Sequence, residues 1–161
     1  MVLAVGDNAP HFTLKSKNLN GEVKDISLSD YKGKKLVILF YPQSFTGVCT
    51  DEMCNVSDGL NDYLNLGADV IAISVDSVFT QDAWSKANNI KIPLLSDFNK
   101  EVIEKYGTRY PDGGFVHNMN GVSKRAAFVV DKDGVIRYTQ ILESAGDLPD
   151  FNAIKETLKS L

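Results

Sequence analysis

A cysteine stands where an apolar stretch of the chain gives way to a predicted helix. Residues 35–41 are almost continuously apolar, which is typical of a strand buried on both faces, and Cys49 follows shortly after them. The start of a helix carries unpaired N–H groups and about half a positive charge, so it stabilises an anion. It therefore favours the thiolate, the nucleophilic form of cysteine. Cys49 is the first candidate for chemistry.

Other residues that could do chemistry are spaced closely around this cysteine. Pro42 and Thr46 precede Cys49, Glu52 follows it by about one helical turn, and Cys54 lies five positions after it. These two cysteines are the only ones in the sequence. In the reducing cytosol that we expect for this protein, two thiols do not indicate a structural disulfide framework. We therefore expect them to serve chemistry.

The pattern Pro42-x-x-x-Thr46-x-x-Cys49 resembles the active-site signature of the peroxiredoxins. The likeness extends over nearly the whole chain, from residues 5–12 to residues 124–134. It implies a thiol peroxidase, in which a thiolate attacks one oxygen of a peroxide while the other leaves as hydroxide or alkoxide. It also implies an α/β fold of the thioredoxin type over residues 1–161, in a single domain. The mixed central sheet of such a fold is flanked by helices and preceded by an N-terminal β-hairpin.

The resemblance gives each residue of the motif a role. Cys49 becomes the peroxidatic thiol, Thr46 holds the incoming peroxide, and Pro42 shields the site and fixes the loop. Arg125 matches the arginine that stands just before a late strand, and Glu52 orients this arginine through a paired hydrogen bond. A guanidinium is always charged and offers several donors, so it suits both a thiolate and a departing oxygen.

Each of these residues also has a structural interpretation. Without its neighbours, Cys49 is a buried structural thiol. Thr46 then only starts the helix, and Glu52 only complements the helix dipole. The role of the cation also has other candidates in the sequence, of which Arg109 is the main one and Lys124 another.

The product of the attack is a sulfenic acid, which a second thiol can capture as a disulfide. The likeness is greatest to the bacterioferritin-comigratory or peroxiredoxin Q group, which implies this resolving role for Cys54. On an ideal helix, residues five apart have Cα atoms about 8.6 Å apart, beyond the ~7 Å that a disulfide spans. The start of the helix must therefore unwind before the bond forms. The alternative is that Cys54 is a small core residue.

Gly47 and Val48 depart from the peroxiredoxin Q pattern, which has a proline and a glycine there, and match the alkyl hydroperoxide reductase E type. This keeps open a one-cysteine mechanism in which an external thiol resolves Cys49. The implied reductant is thioredoxin or a similar dithiol protein, and no metal or organic cofactor is implied. Two other functions are a general disulfide oxidoreductase, which favours Cys-x-x-Cys, and a redox-responsive binding or holdase module that uses residues 107–123.

Composition and charge exclude several classes of function. The chain has 161 residues, of which 43% are hydrophobic and 24% charged, as in a single soluble domain. A net charge of −4 without a basic cluster disfavours binding to nucleic acid. No signal peptide or membrane span is evident, so we expect a cytoplasmic protein, as monomer or homodimer. His11 and His117 lie far from the cysteines, which disfavours a zinc site.

The predicted elements alternate between strands and helices, which indicates a mixed sheet covered on both faces. Strands are predicted at residues 12–15, 22–28, 35–41, 68–75, 93–95, 126–130 and 135–141. Helices are predicted at residues 50–66, 78–88 and 100–106, with a last helix capped by Asp147 or Asp150. Residues 107–123 form a long irregular segment, which is often functional. Tyr41 and Phe45 beside the motif are ambiguous, and one interpretation is an apolar collar that excludes water from the thiolate.

Overall fold

Seven strands form one mixed sheet in the computed structural model, which describes residues 3–161. The strands are β1 (Thr13–Ser16), β2 (Lys24–Ser27), β3 (Lys35–Phe40), β4 (Ala68–Ser74), β5 (Leu94–Ser96), β6 (Ala126–Val130) and β7 (Ile136–Ile141). The helices are α1 (Gly47–Asp58), α2 (Leu60–Leu64), α3 (Val78–Asn88), α4 (Glu101–Lys105) and α5 (Phe151–Lys159). None of the helices in the described residues is long and apolar enough to cross a membrane.

The sheet has the order β2-β1-β5-β4-β3-β6-β7. Strands β3, β4 and β5 are parallel to one another, whereas β1, β2, β6 and β7 pair antiparallel with their neighbours. The predicted mixed sheet is therefore confirmed. Both predicted hairpins are present, and the N-terminal hairpin forms one edge of the sheet through the pairing of β1 with β5.

The central strand β3 is buried on both faces, as its apolar run predicted. Successive side chains of a strand point to opposite faces, and here they enter two separate hydrophobic clusters. Val37 and Leu39 pack with residues of α1, α3 and α5, including Met53, Trp84 and Ile154. The intervening side chains of β3 pack on the other face, with α4 and the N-terminal segment.

The carboxyl end of β3 is where distant parts of the chain converge. Phe40 pairs with Ala126, so the residue that precedes β6 lies beside the end of β3. Ala126 in turn pairs with Ile141 at the end of β7. The antiparallel register therefore brings the start of α1, Arg125 and the segment after β7 to one edge of the sheet.

The helix that follows β3 differs from its prediction at both ends. It begins at Gly47, three residues earlier than predicted, because Thr46 is the extended N-cap residue with φ −103° and ψ 151°. It also ends at Asp58, and Gly59 separates it from α2. After the break Tyr63 is buried, and Leu64, a predicted core residue, is 46% exposed. The single helix predicted to residue 66 is therefore wrong.

The remaining helices follow their predictions more closely. Helix α3 has the predicted bounds, and Trp84 is fully buried, but Phe79 in its first turn is exposed rather than part of the core. At α5, the Asp150 side chain accepts a hydrogen bond from the Ala153 N–H, so Asp150 is the cap rather than Asp147. Helix α4 lies within the predicted residues 100–106.

Candidate active site

Cys49 lies in the first turn of α1 and is almost completely buried, with 1% of its surface exposed. Its Sγ accepts a hydrogen bond of 3.3 Å from Nη2 of Arg125. The same Nη2 donates to the carbonyl oxygen of Ala145, which follows β7, at 3.1 Å. The first N–H groups of a helix have no acceptor within the helix, so a thiolate at Cys49 faces both the helix terminus and a guanidinium.

Glu52 contacts the other terminal nitrogen of the Arg125 guanidinium, the one that does not contact Cys49. Nη1 of Arg125 donates to Oε1 of Glu52 at 2.8 Å, and both side chains are buried. Burial lowers the pKa of Arg125, but the neighbouring Glu52 and Cys49 act against it, and the pKa lies above the usual arginine value. Burial raises the pKa of Glu52 to about 7, although Arg125 acts in the opposite direction. The guanidinium therefore stays charged and is fixed between the carboxylate and the thiol.

The loop that leads into α1 presents Thr46 next to the thiol. The Thr46 hydroxyl donates to the carbonyl oxygen of Gln43 at 2.8 Å and does not cap the helix. A hydroxyl has one proton and two lone pairs, so its lone pairs remain able to accept a hydrogen bond from a ligand. Pro42 is buried and lines the same cavity as Thr46 and Cys49.

Asp76, which follows β4, anchors this loop. Its Oδ2 accepts hydrogen bonds from the Ser44 backbone N–H and the Ser44 hydroxyl, both at 2.8 Å. The Ser74 hydroxyl donates to the same oxygen at 2.7 Å. The loop between β3 and α1 is thus tied to the neighbouring strand. Sequence reasoning missed Asp76, because no spacing relates it to the motif around Cys49.

A cavity of about 220 Å³ opens beside the thiol. It is lined by Pro42, Thr46, Gly47, Val48, Cys49, Phe115, Val116, Arg125, Ala145 and Gly146. Of these lining residues, Thr46, Cys49 and Arg125 carry polar side-chain groups and the others are apolar or glycine. Sequence reasoning missed Phe115 and Val116, although the length of the irregular segment had marked residues 107–123 for attention.

The structure distinguishes Arg125 from Arg109 and Lys124, the two other candidates for the cation beside Cys49. Arg109 pairs on the surface with Glu104 at 2.8 Å and is 40% exposed. Lys124 pairs with Glu143 at 2.8 Å. Neither rival lines the cavity at Cys49. The alternatives that the sequence left open are therefore wrong, and Arg125 is the cation that contacts the thiol.

Of the two residues considered for an apolar collar, Tyr41 packs in the same hydrophobic cluster as Cys49, whereas Phe45 does not. Phe45 is 59% exposed and has a φ of 66°, which turns the chain outward before α1. Tyr41 is buried against Trp84, with ring centroids 5.1 Å apart. Neither residue lines the cavity, whose aromatic wall is Phe115.

The second cysteine lies further along α1, in different surroundings. Cys54 is partly exposed, and its Sγ donates to the carbonyl oxygen of Asn88, at the end of α3, at 3.6 Å. Burial, followed by the charges of Asp58 and Asp51, raises the pKa of the Cys54 thiol. Both cysteines are free thiols. They share an intact helix in which they are not bonded.

A further contact joins the first turn of α1 to α3. The indole Nε1 of Trp84 donates to Oγ1 of Thr50 at 3.0 Å, and this hydroxyl donates to the Thr46 carbonyl oxygen at 2.8 Å. The residue after Cys49 is thus tied to the buried face of the sheet.

The histidines take no part in this site. His11 and His117 are both exposed. Across residues 3–161 no group of three or more His, Cys, Asp or Glu side chains is arranged to hold a metal ion.

Comparison with known proteins agrees with the fold. The fold is thioredoxin-like, and the reduced 2-Cys peroxiredoxin of Plasmodium vivax superposes with a TM-score of 0.85 at 26% identity, over 97% of this chain and 94% of that one. A model of the AhpC/TSA family matches residues 5–139. The chain belongs to this family, the family of the peroxiredoxins.

Two curated relatives show how much of a longer protein the likeness covers. The chain is 37% identical over 163 aligned positions to a protein of Homo sapiens named mitochondrial thioredoxin-dependent peroxide reductase, covering 97% of this chain and 59% of that protein. It is 36% identical to peroxiredoxin-2 of Mus musculus, covering 96% of this chain and 76% of that protein. The chain thus spans about three fifths of the length of the first relative.

Proposed function

We propose that the protein is a thiol-dependent peroxidase that reduces hydrogen peroxide and organic hydroperoxides. The observation that carries the proposal is the contact between the Arg125 guanidinium and the buried Cys49 thiol, at the floor of a cavity large enough for a substrate. A fixed cation beside the thiol favours the thiolate and needs no rearrangement when charge moves to a leaving oxygen.

In the first step the Cys49 thiolate attacks one oxygen of the hydroperoxide. The S–O bond forms as the O–O bond breaks, and the second oxygen leaves as hydroxide or alkoxide and takes a proton to become water or an alcohol. Arg125 donates to the charge that develops on this oxygen. Thr46 accepts a hydrogen bond from the peroxide through its free lone pairs, and Pro42 shields the thiolate from water.

In the second step the Cys54 thiol attacks the sulfur of the Cys49 sulfenic acid. A disulfide forms and water leaves. The intact helix of the reduced protein keeps the two residues too far apart, by the ideal geometry of a helix. The first turns of α1 must unwind, which breaks the contacts of Glu52 with Arg125 and of Thr50 with Trp84.

A dithiol protein of the thioredoxin type then returns the disulfide to two thiols. This part of the proposal rests on the names of relatives such as the thioredoxin-dependent peroxide reductase. The spacing of Cys49 and Cys54 favours the peroxiredoxin Q group as the subgroup. A cytoplasmic location is part of the same proposal, because an intramolecular disulfide that cycles needs a reducing compartment.

The intact mass of the reduced protein after one equivalent of hydrogen peroxide tests the mechanism, with Cys54→Ser as the matched variant. We expect the parent to lose two hydrogens and the variant to gain one oxygen. A parent that gains oxygen indicates the one-cysteine mechanism with an external thiol. If neither protein changes mass, the peroxidase proposal fails, and the holdase function of residues 107–123 becomes the next hypothesis.

The reductant is tested separately. Turnover of hydrogen peroxide is followed by NADPH consumption, once with thioredoxin and thioredoxin reductase and once with glutathione, glutaredoxin and glutathione reductase. We expect sustained turnover in the first mixture. Turnover only in the second mixture would contradict the proposed dithiol partner while leaving the chemistry of Cys49 intact.

A further inference from the structure

The irregular segment 107–123 forms one wall of the cavity at Cys49. Phe115 and Val116, which begin a short turn of 3-10 helix, line this cavity. The Phe115 side chain is buried, whereas Val116 is 54% exposed. Both residues therefore border the space beside the thiol.

Contacts within segment 107–123 hold this wall in place. The base of the segment is closed by a bridge between Arg109 and Ser123. Above it, Phe115 packs on the ring of Tyr110, with centroids 5.3 Å apart, in a small cluster with Val122. These contacts hold the Phe115 ring in a fixed place against the cavity.

The segment is also tied to the loop that carries the polar groups of the site. Nε2 of Gln43 donates to the Sδ of Met119 at 3.8 Å. The carbonyl oxygen of the same Gln43 accepts the Thr46 hydroxyl. The apolar wall and the hydroxyl beside the thiol thus share one anchoring residue.

The cavity is larger than hydrogen peroxide requires. Its volume is about 220 Å³. A molecule with two oxygen atoms needs roughly 60 Å³, since each water occupies ~30 Å³ in the liquid. The space that remains is bounded by Phe115, Val116, Ala145 and the glycines of the lining. Apolar walls gain from covering an apolar group of a ligand and offer little to a second polar one.

We propose that Phe115 and Val116 determine the substrate specificity of this site, selecting hydroperoxides that carry a bulky apolar substituent. The inference rests on the proposed peroxidase function and names its preferred substrate class. The hydroperoxide group lies at Cys49, Thr46 and Arg125, and its substituent contacts the wall of the segment. The chemical step is unchanged: the S–O bond forms, the O–O bond breaks, and the alkoxide leaves as the alcohol after taking a proton.

The test compares two substrates in the same variants. The second-order rate constant of Cys49 oxidation is measured with cumene hydroperoxide and with hydrogen peroxide, for the parent, Phe115→Ala and Val116→Thr. We expect the parent to prefer cumene hydroperoxide. Phe115→Ala should lower the rate with cumene hydroperoxide roughly tenfold and the rate with hydrogen peroxide less than twofold, as is usual when an apolar pocket contact is lost. Val116→Thr keeps the shape of the side chain and should give a loss of about twofold to threefold.

Phe79→Ala is the matched control, because Phe79 is 69% exposed and does not line the cavity. It should leave both rates unchanged. Phe115→Leu guards against loss of folding, since it keeps an apolar side chain and should give an intermediate ratio of the two rates. An equal loss with both substrates in Phe115→Ala and Phe115→Leu would show that the segment only supports the fold, and would overturn the inference. A parent that oxidises with neither peroxide would instead remove the proposed function itself.

Discussion

Cys49 and Cys54 share one helix but lie in opposite surroundings. Cys49 is 1% exposed and accepts a hydrogen bond from a guanidinium. Cys54 is partly exposed and donates to a backbone carbonyl of α3, and its pKa is raised by burial and by two nearby aspartates. One sulfur therefore contacts a cation, whereas the other contacts a neutral carbonyl group and is the thiol whose pKa is raised.

The comparison teaches that the surroundings of a thiol here are set by residues distant in sequence. Arg125 stands 76 positions after Cys49 and reaches it only because β6 pairs with β3. Cys54 has the same helix but no such cation. A guanidinium is always charged and offers several donors, so Arg125 adds a full cation to the partial positive charge of the helix N-terminus.

Removing the cation should give the largest effect. We expect Arg125→Met to slow oxidation of Cys49 by hydrogen peroxide about 10²- to 10³-fold, as for the loss of one preorganised donor to a developing oxyanion. The rate is measured by rapid mixing and quenching followed by mass spectrometry.

Arg109→Met is the matched control, because Arg109 is an exposed arginine that pairs on the surface. It should stay within twofold of the parent. Because breaking a buried pair costs about 3–5 kcal/mol, the folded fraction of Arg125→Met must be checked by near-ultraviolet circular dichroism. A folded Arg125→Met variant that reacts at the parent rate would contradict the contrast between the two cysteines.

Glu52 lies between the two cysteines and should make stability depend on pH. Its pKa is about 7 in the folded protein, above the usual 4.5, because of burial. The contribution of Glu52 to the free energy of unfolding is therefore complete below pH 4.5 and is lost as the pH rises through 7. The loss amounts to roughly 3 kcal/mol, on the scale of about 1.4 kcal/mol per pKa unit.

Denaturant unfolding of the parent and of Glu52→Gln at pH 4.5 and pH 8 measures this loss. The decrease between the two pH values should be smaller in Glu52→Gln than in the parent, because glutamine does not titrate. Glu104→Gln removes an exposed carboxylate and should behave like the parent. Equal decreases in the parent and in Glu52→Gln would show that burial of Glu52 is fully offset by Arg125.

Local patterns in the sequence predicted most of the fold, because its strands are short apolar runs and local residues mark where its helices begin and end. The predicted bounds of α3 are an example of such local control, and the cap of α5 is one of the two aspartates that the sequence offered. The break at Gly59 escaped prediction, because the apolar spacing continues across it and only packing shows which of Tyr63 and Leu64 is buried.

The candidate site likewise has residues that could be predicted from the sequence and others that depend on tertiary packing. The family resemblance implied Arg125, and the structure places its guanidinium against Cys49, since a family pattern carries tertiary information that one sequence does not. Asp76 and Phe115 could not be found in this way. Their positions depend on how the end of β4 and the segment 107–123 pack against the loop before α1, and neither residue stands at a spacing that signals chemistry.

Oxidation should open the part of α1 that joins the two cysteines. Residues 50–58 should exchange their amide hydrogens at least about tenfold faster after one equivalent of hydrogen peroxide, because local unwinding exposes the backbone to solvent. Hydrogen exchange followed by mass spectrometry measures the change.

Cys54→Ser provides the control for this change. It reaches the sulfenic acid but forms no disulfide, so its exchange should stay close to that of the reduced protein. Unchanged protection in a parent whose mass shows the disulfide would mean that the bond forms without unwinding.

The smallest expected effect concerns the hydrogen bond between Trp84 and Thr50, which ties the first turn of α1 to α3. Thr50→Val keeps the shape of the side chain but removes the hydroxyl that accepts from Trp84 and donates to Thr46. A neutral hydrogen bond contributes about 1 kcal/mol, so the disulfide should form roughly threefold to fivefold faster, and less Cys49 should reach the sulfinic acid in excess peroxide. Both quantities are read by quenched-flow mass spectrometry. Trp84→Phe removes the donor of the same bond and should shift both quantities in the same direction. Unchanged or slower disulfide formation in both variants would contradict this expectation. It would show that unwinding is limited instead by the contact of Glu52 with Arg125.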